Sequence, residues 1–152
     1  MSWTFYNSSG QRLQTFGFVA ATQAEMEAGS STTAYVTPGR TQHHPGVAKF
    51  WVDVDQTGTQ GLRDSYNVGS FSDEGTGLTQ INFTTSFSDT NYAIVFGGAD
   101  GVTNDASGNS VRVNAGKGTT SFQMGSAIEN QTSGVSSYAD AESLSAVGFG
   151  DQ

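Results

Sequence analysis

The run Gln80-Ile81-Asn82-Phe83-Thr84-Thr85-Ser86-Phe87 decides the fold class. Ile81, Phe83, Thr85 and Phe87 share one parity, and Gln80, Asn82, Thr84 and Ser86 share the other. Strand side chains alternate between faces, so one face of this segment is apolar and the other carries only amides and hydroxyls. The same period of two runs through Phe50, Val52 and Val54, which alternate with Trp51, Asp53 and Asp55. Tyr66 and Val68 repeat it in a second strand, and Asp73-Glu74-Gly75-Thr76-Gly77 is a turn composition. Tyr92, Ile94 and Phe96 follow with Ala93 and Val95 between them, which predicts a strand buried on both sides. Val111 with Val113, Phe122 with Met124, and Leu144, Ala146, Val147 and Phe149 supply three more. Seven or so strands at intervals of about 10 to 15 residues predict an antiparallel β-sandwich, immunoglobulin-like or jelly-roll, with its strand order left open. No internal repeat is present, which argues against a propeller or solenoid.

Composition agrees. The 152 residues are one domain's worth, and 20 Gly, 2 Pro and 13% charged residues suit short strands and tight turns. The net charge is -8, and the only cations are Arg12, Arg40, Lys49, Arg63, Arg112 and Lys117. A nucleic-acid partner needs clustered cations to displace phosphate counterions, so none is expected. With no cysteine there is no disulfide, thiolate metal site or thiol nucleophile. No run approaches the ~20 apolar residues of a membrane span. The opening Met1-Ser2-Trp3-Thr4-Phe5-Tyr6 lacks the basic region and apolar core of a signal peptide, so synthesis in the cytoplasm and delivery by assembly are expected.

The first third reads differently. Trp3, Phe5 and Tyr6, the turn Asn7-Ser8-Ser9-Gly10, and Leu13, Phe16 and Phe18 predict a hairpin-like arm over residues 1–19. A lone two-stranded hairpin is marginal in water, so its aromatics call for a partner surface. Thr22-Gln23-Ala24-Glu25 is a capping box and Gly29 a left-handed stop, which predicts a helix of about two turns with Met26 facing inward. Thr37-Pro38-Gly39 predicts a sharp bend, and Pro45 pushes His44 towards extended backbone. Residues 20–46 thus form a neck, and residues 47–152 the sandwich domain.

The segments Gln23-Ala24-Glu25-Met26-Glu27-Ala28-Gly29, Tyr35-Val36-Thr37-Pro38-Gly39-Arg40-Thr41-Gln42 and His44-Pro45-Gly46-Val47-Ala48-Lys49 carry a resemblance. Together with Ser65-Tyr66-Asn67-Val68, Ile81-Asn82-Phe83-Thr84-Thr85 and the closing Phe149-Gly150-Asp151, they resemble tail-fibre and other virion structural proteins of tailed bacteriophages, over about half the chain. The resemblance implies a virion location and a homotrimeric fibre, spike or decoration on the head or tail. It implies contacts with capsid, portal-tail or fibre components through the arm, with the helix near a three-fold axis.

Chemistry is sparse. There is no Gly-x-Ser-x-Gly elbow, and both histidines stand beside a proline in a connector. A carboxylate pair acting on polysaccharide would need an extended groove that a chain of this size hardly builds alone, so no enzyme is expected. Asp53-Val54-Asp55 and Asp73-Glu74-Gly75 lack the spacing of a calcium loop, and no metal or cofactor is expected. Three copies of His43 or His44 meeting at a three-fold axis would make an acid-sensitive interface; the alternative is neck residues bonded to backbone or facing water. Trp51 is out of phase with its strand and reads as an interface residue or as a cap on the core. Tyr35 joins Met26, His43, His44 and Trp51 as the oligomer-interface set. Tyr35, Tyr66 and Tyr138 are also able to stack on sugars, but nothing in the sequence groups them. The loop holding Asp100, Asn104, Asp105 and Asn109 is the receptor-facing candidate under the alternative function, recognition of a host glycan or surface protein.

Overall fold

The computed structural model describes residues 2–17, 19–100, 107–130 and 135–152. They form two compact units, Met1–Val47 and Ala48–Gln152.

In the first unit β1 (Ser2–Tyr6) and β2 (Arg12–Gly17) make the antiparallel hairpin that the sequence predicts, with Trp3 opposite Phe16 and a bulge after Phe5. The Asn7 side-chain oxygen closes the turn, accepting from the Ser9 N–H at 3.0 Å and the Gln11 N–H at 2.8 Å. Phe18 lies outside the described residues. Helix α1 (Gln23–Ala28) starts at the capping box: the Glu25 N–H donates to Thr22 Oγ1 at 3.2 Å, and the Thr22 N–H donates to Glu25 Oε2 at 2.8 Å. The Thr22 N–H first, and then the Thr22 hydroxyl, which donates to the same Oε2 at 2.9 Å, hold the Glu25 carboxyl below its ordinary range. Gly29, at φ 59, ends the helix in the left-handed region, as read from the sequence. Where a bend is expected, Pro38 instead opens a single helical turn, α2 (Pro38–Thr41). Proline's fixed φ suits the first helical position, and its missing N–H has no helical partner to lose.

The second unit is a β-sandwich of two antiparallel sheets. Its strands are β3 (Phe50–Asp55), β4 (Gly61–Tyr66), β5 (Val68–Gly75), β6 (Leu78–Phe83), β7 (Ala93–Asp100), β8 (Ser107–Ala115), β9 (Ser121–Asn130), β10 (Val135–Tyr138) and β11 (Ser143–Phe149). The front sheet has the order β4-β3-β11-β7; the back sheet runs β10-β9-β6-β5, with β8 also paired to β9.

Nine strands in this unit, among the described residues, exceed the seven or so predicted. One addition comes from Asn67, which splits the expected Tyr66–Val68 strand in two. Its φ of 57 lies in the left-handed region that Asn tolerates, and the chain there passes from the front sheet to the back. The Asn67 side chain secures the crossing by accepting from the Thr85 N–H at 2.7 Å and donating to the Thr85 carbonyl at 3.0 Å. Another is β10, in the weakly patterned stretch after Ala127. Strand β6 stops at Phe83, and Phe87 enters the core from the segment beyond it.

The core joins Phe50, Val52 and Val54 of β3 and Leu144 and Ala146 of β11 to Ile81 and Phe83 of β6 and Phe122 and Met124 of β9. Phe50 is its hub, with ring centroids 4.9 Å from Phe83 and 5.2 Å from Phe122. Tyr92 stacks on Phe87 at 4.0 Å, and burial pushes its phenol up to about 12. The core also holds a polar cluster. Buried Gln56 accepts from Ser126 Oγ at 2.7 Å and from the Ala141 N–H at 3.2 Å, and donates to Thr79 Oγ1 at 3.1 Å. Each of these buried groups is satisfied, which removes the desolvation penalty an unpaired one would carry.

Candidate functional site

The two outer faces of the sandwich differ in chemistry. On the back sheet Gln80 lies opposite Gln123 and Ser72, and Asn82 opposite Ser121 and Ser70, a run of amides and hydroxyls as its parity predicts. The Asn114 amide extends it, donating to Gln123 Oε1 at 2.5 Å. Tyr138 bonds Asn114 through its hydroxyl, and the Arg112 guanidinium sits 5.3 Å above its ring. That ring face is therefore occupied.

The front sheet carries a row that only the register reveals. Tyr66 of β4 pairs with Trp51 of β3, Trp51 with Val147 of β11, and Val147 with Val95 of β7. All four project from the side opposite the core. Tyr66 is 49% exposed, Trp51 39% and Val95 56%, and Val147 is half-buried. With strands about 4.8 Å apart, this apolar row spans about 14 Å. It corrects the expectation that β7 is buried on both sides: Ile94 and Phe96 pack on the core, while Ala93 and Val95 face out and are exposed.

Beside the row lies a trough of about 370 Å³ lined by Trp51, Asp53, Val95, Gly97, Ser145 and Val147, with Val52, Phe96 and Ala146 beneath. Gly97 makes its floor. A Cβ there would lie 1.9 Å from Ser145 Oγ, so a side chain at this position is incompatible with the serine's placement. The next row along the strands pairs Asp53 with Asp64 and with Ser145. Asp53 accepts from Ser143 Oγ at 2.9 Å. Asp55 accepts from Thr57 Oγ1 at 2.6 Å and from the Thr57 N–H at 2.9 Å, and pairs with Arg63 at 3.1 Å. Those bonds, Thr57's first, bring its carboxyl down to about 2.

Trp51 is thus on the open sheet surface and does not cap the core. Tyr66, which the sequence leaves ungrouped, is its direct neighbour. Of the other interface candidates, Met26 is buried within the single chain at 8% exposure, and Tyr35 is exposed beside the parallel bridge that it forms with Ala20. His44 Nδ1 accepts from the Gly46 N–H at 3.0 Å, while half-buried His43 has Nε2 3.5 Å from Gln42 Nε2. In the arm, Phe5 and Tyr6 are exposed; Trp3, Leu13 and Phe16 lie on β1 and β2.

The receptor-facing loop is shorter than its composition suggests, because Asp100 ends β7 and Asn109 belongs to β8. Asn104 and Asp105 lie outside the described residues. Among the described residues, no three His, Asp or Glu side chains are placed to hold a metal ion. Nor, among the described residues, is any helix long and apolar enough to cross a membrane.

Fold and faces define an antiparallel β-sandwich with one outer surface crossed by an apolar row beside carboxylates and the other bearing amides and hydroxyls. No family model, curated protein or solved structure matches the chain.

Proposed function

We propose that this chain is a structural protein of a tailed-bacteriophage virion. It forms a homotrimeric fibre, spike or decoration on the head or tail and works by protein–protein contact with capsid, portal-tail or fibre components. It is made in the host cytoplasm and carried to its place by assembly. The observation that supports this reading most is the amount of apolar surface a single chain leaves open: Phe5, Tyr6, Val19, Tyr35 and Val36 in the first unit, and Tyr66, Trp51 and Val95 in one row of the second. Contiguous apolar surface on a soluble chain marks an interaction site. In this reading Phe5 and Tyr6 belong to the attachment arm, and Tyr35, His43 and His44 belong to the contact between copies. Met26 serves inside each chain.

Light scattering of the purified protein at neutral pH, and again near pH 5, tests the assembly. Three chains at neutral pH are expected, and loss of the trimer in acid would place His43 or His44 at the contact. A monomer under both conditions refutes self-assembly in solution. Incorporation of a tagged chain into phage particles tests the location.

The second reading, recognition of a host glycan or surface protein, draws on the amide and hydroxyl face of the back sheet, which offers neutral hydrogen-bonding groups over three strands. Binding to a glycan array that is lost with Gln80→Ala and Gln123→Ala would favour it.

A further inference from the structure

We propose that the Tyr66-Trp51-Val147-Val95 row and its trough are the docking site for a segment of a different protein, one that presents an aliphatic or aromatic side chain flanked by lysine or arginine. This rests on the contact-based reading above and names the chemistry of the partner.

The apolar half of the argument is the trough. Its walls are Trp51, Val95 and Val147, and the absence of a side chain at Gly97 opens its floor beside Ser145. A space of about 370 Å³ takes one large side chain from whatever lies across it. Anchoring by one buried aromatic or aliphatic group, with near-neutral contacts around it, is how most interfaces concentrate their affinity.

The charged half is the rim. Asp53 lines the trough, Asp64 is its cross-strand neighbour, and Asp55 follows on the same side of β3. Arg63 is bonded to Asp55, so the rim holds three carboxylates against one guanidinium. Lys49, two residues before Trp51, is buried and presents no ammonium group to an incoming chain. A second copy would bring the same acidic rim and a net charge of -8 to meet its like. Like charges brought together disfavour that pairing, while a cationic flank is steered in and held. A sugar fits less well, because the trough wall is apolar.

The test uses the full chain with Trp3→Phe, so that Trp51 is the only tryptophan and its emission reports on the trough. Two synthetic peptides share the centre Ile-Phe-Ile, one flanked by three lysines on each side and the other by three glutamates. The lysine peptide should shift Trp51 emission saturably to the blue and bind about tenfold or more tighter than the glutamate peptide, the preference shrinking as salt is raised. Asp53→Asn with Asp64→Asn should erase the preference, and Val95→Lys, at an exposed position, should abolish both interactions while the circular dichroism stays unchanged. Equal binding of the two peptides overturns the charge assignment. Failure of both, or a Trp51 emission that depends on protein concentration alone, overturns the site as one for a foreign chain and assigns it to a second copy or to none. None of these readouts needs a virion, so a failed peptide test is distinct from a failed incorporation test.

Discussion

The ring of Phe50 fills the space that a side chain at residue 148 would occupy: a Cβ on Gly148 would lie 2.0 Å from Phe50 Cε1 and 2.7 Å from Cδ1. The two residues are directly opposed between β3 and β11, so the hub of the aromatic core rests on the backbone of the neighbouring strand.

Gly148→Ala should therefore force the Phe50 ring off Phe83 and Phe122 and destabilise the sandwich by about 2–3 kcal/mol, the scale of overpacking in a filled core. Gly116→Ala, where a Cβ would meet nothing within 4 Å, is the control and should be near neutral. Urea denaturation of both variants measures the difference, and equal midpoints would disprove the close approach.

Gln56 is the second sensitive point. Gln56→Ala removes partners from Ser126, Thr79 and the Ala141 N–H together, and should lower stability by about 2–4 kcal/mol through lost bonds and a cavity. Ser126→Ala should be markedly less damaging in that background than in the wild type, because the interaction is already gone. Strictly additive effects would show that the hydrogen bonds are not coupled.

The pH dependence of one surface site has a definite sign. The Asp55 carboxyl titrates near 2 when folded against an ordinary 3.8, held down first by Thr57 and then by Arg63. A depressed folded value means that its contribution is present above the ordinary value and disappears as the pH falls from about 4 through about 2. Asp55→Asn should flatten the loss of stability in that window and leave the curve above pH 5 parallel to wild type. A variant with the same acid limb would assign that limb to other carboxylates.

Every residue of the buried aromatic and aliphatic cluster belongs to the Ala48–Gln152 unit. A chain lacking residues 1–18 should therefore unfold cooperatively with a thermal midpoint close to that of the full chain, while a tagged copy should fail to enter phage particles under the proposed function. An aggregated or unfolded product would show that the arm belongs to the core.

What the sequence discloses follows from how local each signal is. The capping box at Thr22 and Glu25, the Gly29 stop, the hairpin turn at Asn7 and the alternation at Phe50 and Ile81 are settled within a few residues, and all can be read directly. The crossing at Asn67 was hidden because Tyr66 and Val68 keep an unbroken alternation while one left-handed residue changes sheets. Val95 was misplaced because an apolar residue between Ile94 and Phe96 looks the same whether its outer face is covered or bare. The Tyr66-Trp51-Val147-Val95 row depends on pairing across 96 residues of chain, from Trp51 to Val147, which periodicity does not encode.

Strand β11 lies between β3 and β7 in the middle of its sheet, yet it is the last of the nine to leave the ribosome. Until Phe149 has been added, β3 and β7 each expose a line of unpaired backbone groups towards the gap, and the Phe50 ring has no glycine to lie against. Growing chains of this protein therefore pass from the end of β7 at Asp100 to the end of β11 at Phe149 with two open edges, the condition under which strands recruit neighbours. Once β11 inserts, both edges are capped in one event, which makes the arrival of this strand the step that commits the sandwich to its shape.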